Sequence, residues 1–227
     1  MAASAAKPSS RNGGLLARVL SALVLAPLAL AAIWFGFPWI DLLAALAAPL
    51  MAMEWIRLTR GRPVSRVLGL VYVLGAVVAL LWLRHQPVLG RETVIWLMAC
   101  VWATDIGGFF VGRAVGGAKL APSISPGKTW SGLIGGMSWS AVASALCGLV
   151  FGHGDTWTLA FIGAALAVIA QAGDLLESHA KRRAGVKDSG KLIPGHGGLL
   201  DRVDGLIAVL VAVALARLVF GGDWPWL

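Results

Sequence analysis

Seven apolar runs, each about 17 to 21 residues long, occupy most of this chain, at approximately 17–35, 38–56, 67–83, 93–112, 131–151, 157–173 and 205–221. The hydrocarbon core of a bilayer is about 30 Å thick, which an α-helix of roughly 20 residues crosses. Within lipid every backbone N–H and C=O must find its partner inside the protein, which leaves helices as the natural form for such runs. The predicted fold class is therefore all-α, a polytopic transmembrane helical bundle of about seven spans. Composition points the same way: 58% of the 227 residues are hydrophobic, only 13% are charged, and mean hydropathy is +0.80. A soluble domain carries about 25% charged residues. Too little polar surface exists here to cover a water-soluble body, and a disordered or collagen-like chain would not be this apolar.

The few charges set the orientation. The net charge of +8 would suggest nucleic acid in a soluble protein, but a membrane surface accounts for it here, and no nucleic-acid partner is expected. With the N-terminus inside, the cytoplasmic segments are 1–18, 57–66, 113–130 and 174–204, and they hold sixteen of the 19 Lys and Arg. The outer connections keep Arg84 and Arg91, while Arg217 lies in the last turns of the seventh span. The positive-inside rule then predicts a cytoplasmic N-terminus. Several of the 11 tryptophans, Trp34, Trp39, Trp55 and Trp157 among them, sit near run ends as interfacial anchors do. Lys7, Arg11 and Arg18 before the first run imitate a signal peptide. No clear cleavage site follows, so a retained helix is expected. Cys100 and Cys147 lie inside apolar runs and read as core residues. The expected organisation is a disordered cytoplasmic tail (1–16), N-terminal transmembrane helices (17–92), a catalytic transmembrane region (93–221) with cytoplasmic loops 113–130 and 174–204, and a short outer tail (222–227).

The outer connections are short, so chemistry belongs in the membrane or on the inner side. Asp174 and Glu177, three residues apart, share one helical face at the inner end of the sixth span. Asp201 and Asp204 repeat the spacing at the start of the seventh, and Lys181, Arg182, Arg183, Lys187, Asp188, Lys191 and His196 lie between. Carboxylates among Lys and Arg suit a divalent metal holding phosphate oxygens, as Mg²⁺ does, with the basic residues offsetting the remaining phosphate charge. That composition points to phosphoryl or nucleotidyl transfer at a membrane surface. Asp105 falls midway through the fourth span, where a carboxylate is a functional candidate by default. The loop before the fifth span carries Ser125, Lys128 and Thr129 ahead of a helix N-terminus, a plausible phosphate cradle.

These residues resemble a known signature. Ser178-x-x-Lys181-Arg182, then Lys187-Asp188-Ser189-Gly190, then Leu192 through Asp204 is similar to the pattern of the bacterial phosphatidate cytidylyltransferases, also called CDP-diacylglycerol synthases. Ser125-Pro126-x-Lys128-Thr129-Trp130 and Asp105 resemble the family's upstream motifs. The likeness covers about 96–210. Gly127 and Ser131 stand where the family usually has a lysine and a glutamate, which predicts rearranged phosphate contacts in that loop.

The resemblance implies that CTP and phosphatidate give CDP-diacylglycerol and pyrophosphate for phospholipid biosynthesis. The lipid phosphate attacks the α-phosphorus, with Mg²⁺ as cofactor, a monovalent ion left open, and membrane lipid as surroundings. It implies a multi-pass protein of the bacterial inner (cytoplasmic) membrane with its active site on the cytoplasmic side, and it suggests a homodimer. Expected metal ligands are Asp174, Asp201 and Asp204, with Asp188 close behind. Lys181, Arg182, Lys187 and Arg202 would grip phosphates, Ser125, Lys128 and Thr129 would close the site, His196 would hydrogen-bond a phosphate or help pyrophosphate leave, and Asp105 would join the metal site or orient a basic residue. The rivals are another lipid-phosphate transferase, such as a CDP-alcohol phosphatidyltransferase, a lipid kinase, or a non-enzymatic transporter. The D-G-x-x-A-R pattern of the first is missing after Asp204-Gly205, and a transporter leaves the charged loop without a purpose.

Overall fold

The computed structural model describes residues 11–193, 195, 197–222 and 224–226, with the backbone alone for 11–20 and 22. Residues 1–10 of the expected tail, and His196 among the candidate site residues, lie outside the described residues. The elements in order are α1 (Arg11–Phe35), α2 (Trp39–Leu58), α3 (Pro63–Arg84), α4 (Gly90–Val115), β1 (Lys119–Ala121), β2 (Ser125–Thr129), α5 (Trp130–Phe151), α6 (Thr156–Arg183) and α7 (Leu200–Phe220). Six of the helices, α2 to α7, are long and apolar enough to cross a membrane, with mean hydropathy between 1.5 and 2.3. The apolar described part of α1 is Leu23–Phe35. An all-α bundle of polytopic membrane type is what these helices form.

Local chemistry marks the helix ends. Pro63 opens α3 at a position where a missing N–H costs nothing. Thr129 caps α5 by accepting from the Gly132 amide (3.1 Å), and Asp155 caps α6 by accepting from the Thr158 amide (2.7 Å). That amide holds the Asp155 carboxyl below the usual carboxylate range. Two elements differ from expectation. The apolar sixth run ends near 173, yet α6 continues to Arg183. Hydropathy marks where lipid contact ends, while backbone hydrogen bonds carry the helix onward with charged residues on its inner face. The loop after α4 also contains a small antiparallel hairpin, in which Lys119 pairs with Thr129 and Ala121 with Ser125. Its two prolines, Pro122 and Pro126, hid it from a search for apolar alternation, since Pro is confined to strand edges.

Large apolar side chains face outward along the helices; Phe35, Val150, Phe161 and Val219 are each at least 69% exposed. Water-soluble surfaces rarely carry so much contiguous apolar area, and lipid is its natural solvent. Inside, one core joins Leu83, Trp96, Leu97, Leu159, Val209 and Val213, and a second joins Met51, Trp55, Val73, Leu200 and Ile207. The connections gather at two ends. At one, His85 Nε2 lies 3.0 Å from Asp41 Oδ1, and the Trp226 indole donates to Thr93 Oγ1 (2.9 Å). At the other, Arg62 donates to the Arg183 carbonyl (2.5 Å), and Arg182 Nε donates to the Ile124 carbonyl in the hairpin turn (3.1 Å). That second end collects the charged motifs.

Candidate active site

The site is built where the C-terminal end of α6 meets the N-terminal end of α7. Along α6, Asp174, Glu177, Ser178 and Lys181 stand at positions i, i+3, i+4 and i+7, which is one helical stripe. Along α7, Asp201 and Asp204 are one turn apart on the facing side. Gly173 lets the two helices meet there. A Cβ at this position would lie 2.7 Å from the Asp204 carbonyl and 2.7 Å from the Ala208 Cβ. Any larger residue would push α7, and its carboxylates, away from α6.

Charge pairing then fixes the side chains. Lys181 Nζ sits 2.7 Å from Asp201 Oδ1 and 3.5 Å from Glu177 Oε2. Asp201 Oδ2 accepts from two backbone amides, Ser189 (2.9 Å) and Gly198 (2.8 Å). Both oxygens of Asp201 are thus engaged. Asp204 Oδ1 accepts from the Gly205 amide (2.8 Å). Lys128, from β2, places its ammonium 2.5 Å from Asp174 Oδ2, while Ser178 Oγ donates to Asp174 Oδ1 (3.1 Å). The hairpin is therefore moored to α6 twice, by Lys128 and by Arg182. Asp105 of α4 faces this group from a third helix and feels Asp204, Asp174, Lys128 and Arg202 electrostatically. Asp174, Glu177, Asp201 and Asp204 gather here with the cations Lys128 and Lys181, and Asp105 and Arg202 lie within electrostatic range.

The other candidates fall around this centre. Lys187 and Asp188 are exposed on the loop between α6 and α7, and Arg202 is exposed on the first turn of α7. Ile193 and Gly197 close the turn of that loop with paired backbone bonds of 2.9 and 3.2 Å. Thr129 is buried and spends its hydroxyl on capping α5, while Ser125 is half-buried at the start of β2. Ser131 lies within hydrogen-bonding distance of Thr129 Oγ1 (3.0 Å) and donates to the Gly116 carbonyl, tying the hairpin to α4. At Gly127 an added Cβ would meet open space. Among the described residues, no three His, Cys, Asp or Glu side chains are grouped closely enough to hold a metal ion.

One residue escaped the sequence reading. Glu54 of α2 is buried against the same loop that Asp201 holds. A carboxylate inside an apolar run was its visible signal, the one that singled out Asp105, although Asp41 shares the run 38–56.

A model described as the Cytidylyltransferase family matches residues 62–220. A protein of Brucella suis biovar 1 (strain 1330) named "Phosphatidate cytidylyltransferase" is 42% identical over 181 residues, covering 80% of this chain and 66% of that protein. One of the same name from Rickettsia bellii (strain RML369-C) is 37% identical over 205 residues, covering 87% of this chain and 88% of its own length. The chain belongs to the phosphatidate cytidylyltransferase family. A further relative of that name, from Pseudomonas aeruginosa, is 40% identical over 159 residues, covering 69% of this chain and 58% of its own. The chain spans about two thirds of the length of the Brucella proteins it matches. Within the family match, 62–220, lie all the candidate site residues named above except Glu54.

Proposed function

We propose that the chain transfers the cytidylyl group of CTP to phosphatidate, releasing pyrophosphate and leaving CDP-diacylglycerol. The observation that carries this reading is the convergence of the signature's charges. Lys181–Asp201 and Lys128–Asp174 join α6, α7 and the hairpin at one end of an apolar bundle. One substrate is a lipid and the other a water-soluble nucleotide, so a site at the bundle's end meets both.

The phosphate monoester of phosphatidate is already an anionic nucleophile near neutral pH, so the chain supplies orientation and charge instead of a strong base. One oxygen of that phosphate attacks the α-phosphorus of CTP, and the bond to the β-phosphate breaks. Lys181, held by Asp201, and Lys128, held by Asp174, offer ammonium groups to phosphate oxygens in fixed positions, which is where electrostatic preorganisation acts. Arg202, Lys187 and Arg182 form a basic rim that draws in the triphosphate. The carboxylates of the centre outnumber its two cations, Lys128 and Lys181, and would repel a bare nucleotide. Mg²⁺ fits this donor set, because it takes one or two carboxylates with phosphate oxygens and needs no closed protein cage. Two carboxylates, Asp174 and Asp204, are the residues that would hold it, while Asp201 is committed to Lys181 and the loop amides. When bound, Mg²⁺ would neutralise charge developing on the phosphates.

The same reading includes α1 as a seventh span, a cytoplasmic N-terminus, and a site on the cytoplasmic side of a bacterial inner membrane. It rests on the uneven spread of Lys and Arg between the two ends. The test is pyrophosphate release by purified chain with phosphatidate and Mg²⁺, offered CTP, dCTP, ATP or UTP. CTP should support release and ATP should not. No release from folded protein with any nucleotide contradicts the reading.

A further inference from the structure

Glu54 lies in the last turns of α2, outside the segment matched by the family model, and takes no part in the chemistry above. Its side chain is only 4% exposed. Oε1 accepts from the Leu199 amide (3.0 Å), and Oε2 accepts from the Leu200 amide (2.8 Å) and the Ser189 hydroxyl (3.3 Å). Leu199 and Leu200 are the cap and first residue of α7, and α7 has no side-chain cap of its own. A residue 146 positions earlier in the chain supplies it. A carboxylate near the C-terminal end of its own helix is disfavoured by that helix's dipole, and the N-terminus of α7 offsets this.

The loop is shaped for this contact. A Cβ at Gly190 would lie 2.5 Å from Glu54 Oε1, and one at Gly198 would lie 2.6 Å from the same oxygen and 2.0 Å from Ser189 Oγ. Only bare backbone comes this close. Asp201 grips the same two stretches, through the Ser189 and Gly198 amides, while its other oxygen holds Lys181. Ser189 and the run 198–200 are thus clamped between two carboxylates from different helices.

We propose that Glu54 is a positioning residue for the transfer reaction: by fixing Ser189 and the start of α7 it sets Asp201, and through Asp201 the Lys181 ammonium. The effect on turnover rests on the function proposed above, whereas the effect on the loop does not.

The experiment uses the full chain in detergent micelles as wild type, Glu54→Gln and Gly190→Ala. Glutamine keeps the shape but turns an NH₂ toward N–H and O–H donors, so at least one bond is lost. Alanine at 190 leaves the charge in place and displaces it. Three quantities are read: hydrogen exchange over 189–201, the thermal midpoint, and kcat and KM for CTP with phosphatidate and Mg²⁺. Losing one net hydrogen bond should speed exchange over 189–201 by about tenfold in both variants. In the same variants kcat should fall at least fivefold, with exchange in α4 and α5 unchanged. A residue that only stabilises α7 would lower the midpoint and leave kcat of the folded fraction untouched. Wild-type exchange over 189–201, or wild-type kcat in folded Glu54→Gln, overturns the proposal. If Glu54→Gln does not fold, Gly190→Ala decides by the same two readouts. If the wild type itself releases no pyrophosphate, the proposed activity is what has failed, and exchange alone decides the positioning of the loop.

Discussion

The Lys181–Asp201 pair is the joint between α6 and α7, and a double-mutant cycle measures it. The two side chains are 10% and 3% exposed and 2.7 Å apart. Removing one partner of a buried ion pair costs about 3–5 kcal/mol, because the other charge is left without compensation. Asp201→Asn also weakens two backbone hydrogen bonds, so its loss should lie near the upper end, at about 5 kcal/mol. Lys181→Met leaves Asp201 with its two amide donors and should cost about 3 kcal/mol. The double variant strands no charge in the pair. It should cost about 5–6 kcal/mol, less than the sum of the single losses by a coupling of about 2–3 kcal/mol. On the usual scale for chains of this size, Asp201→Asn alone lowers the thermal midpoint by roughly 10 °C or more. The assay is reversible unfolding in mixed micelles, followed by the fluorescence of the 11 tryptophans. Additive losses, or single losses within about 0.5 kcal/mol of zero, would refute the buried joint.

Three further outcomes follow from individual positions. Thr129→Val removes the α5 cap and should cost about 1 kcal/mol of stability while keeping turnover of the folded protein within about twofold; a large loss of turnover at unchanged stability returns Thr129 to phosphate binding. Gly127→Lys enters open space and restores the basic charge usual at that position, so stability should hold within about 0.5 kcal/mol and KM for CTP should fall; an unchanged KM detaches Gly127 from the nucleotide. Single cysteines at Gly61 and Gly154 should react with impermeant reagent from opposite sides of the membrane, and reaction from one side only overturns the span order.

The bundle was legible because lipid imposes one rule on every segment, so the apolar run at 131–151 and the helix Trp130–Phe151 agree closely. The charged extension of α6 was legible only in part. The spacing of Asp174 and Glu177 put them on one face, yet nothing in hydropathy says that the helix reaches Arg183. The site's members were readable as residue types, and Lys128 pairs with Asp174 as Lys181 does with Asp201. Their partners were not readable. That Lys128 chooses Asp174, or that Thr129 spends its hydroxyl on a helix end, depends on the hairpin's geometry. Glu54 shows the limit most plainly. Its donors lie 135 to 146 residues away, and no spacing in one sequence encodes such a contact.

The most direct measurement follows the label. Purified chain receives phosphatidate, Mg²⁺ and CTP radiolabelled at either its α- or its γ-phosphorus. The α-label should pass into organic-soluble lipid as CDP-diacylglycerol, while the γ-label leaves in pyrophosphate. Transfer of the γ-label to lipid would mark a kinase, and transfer of neither label by folded protein would contradict cytidylyl transfer altogether.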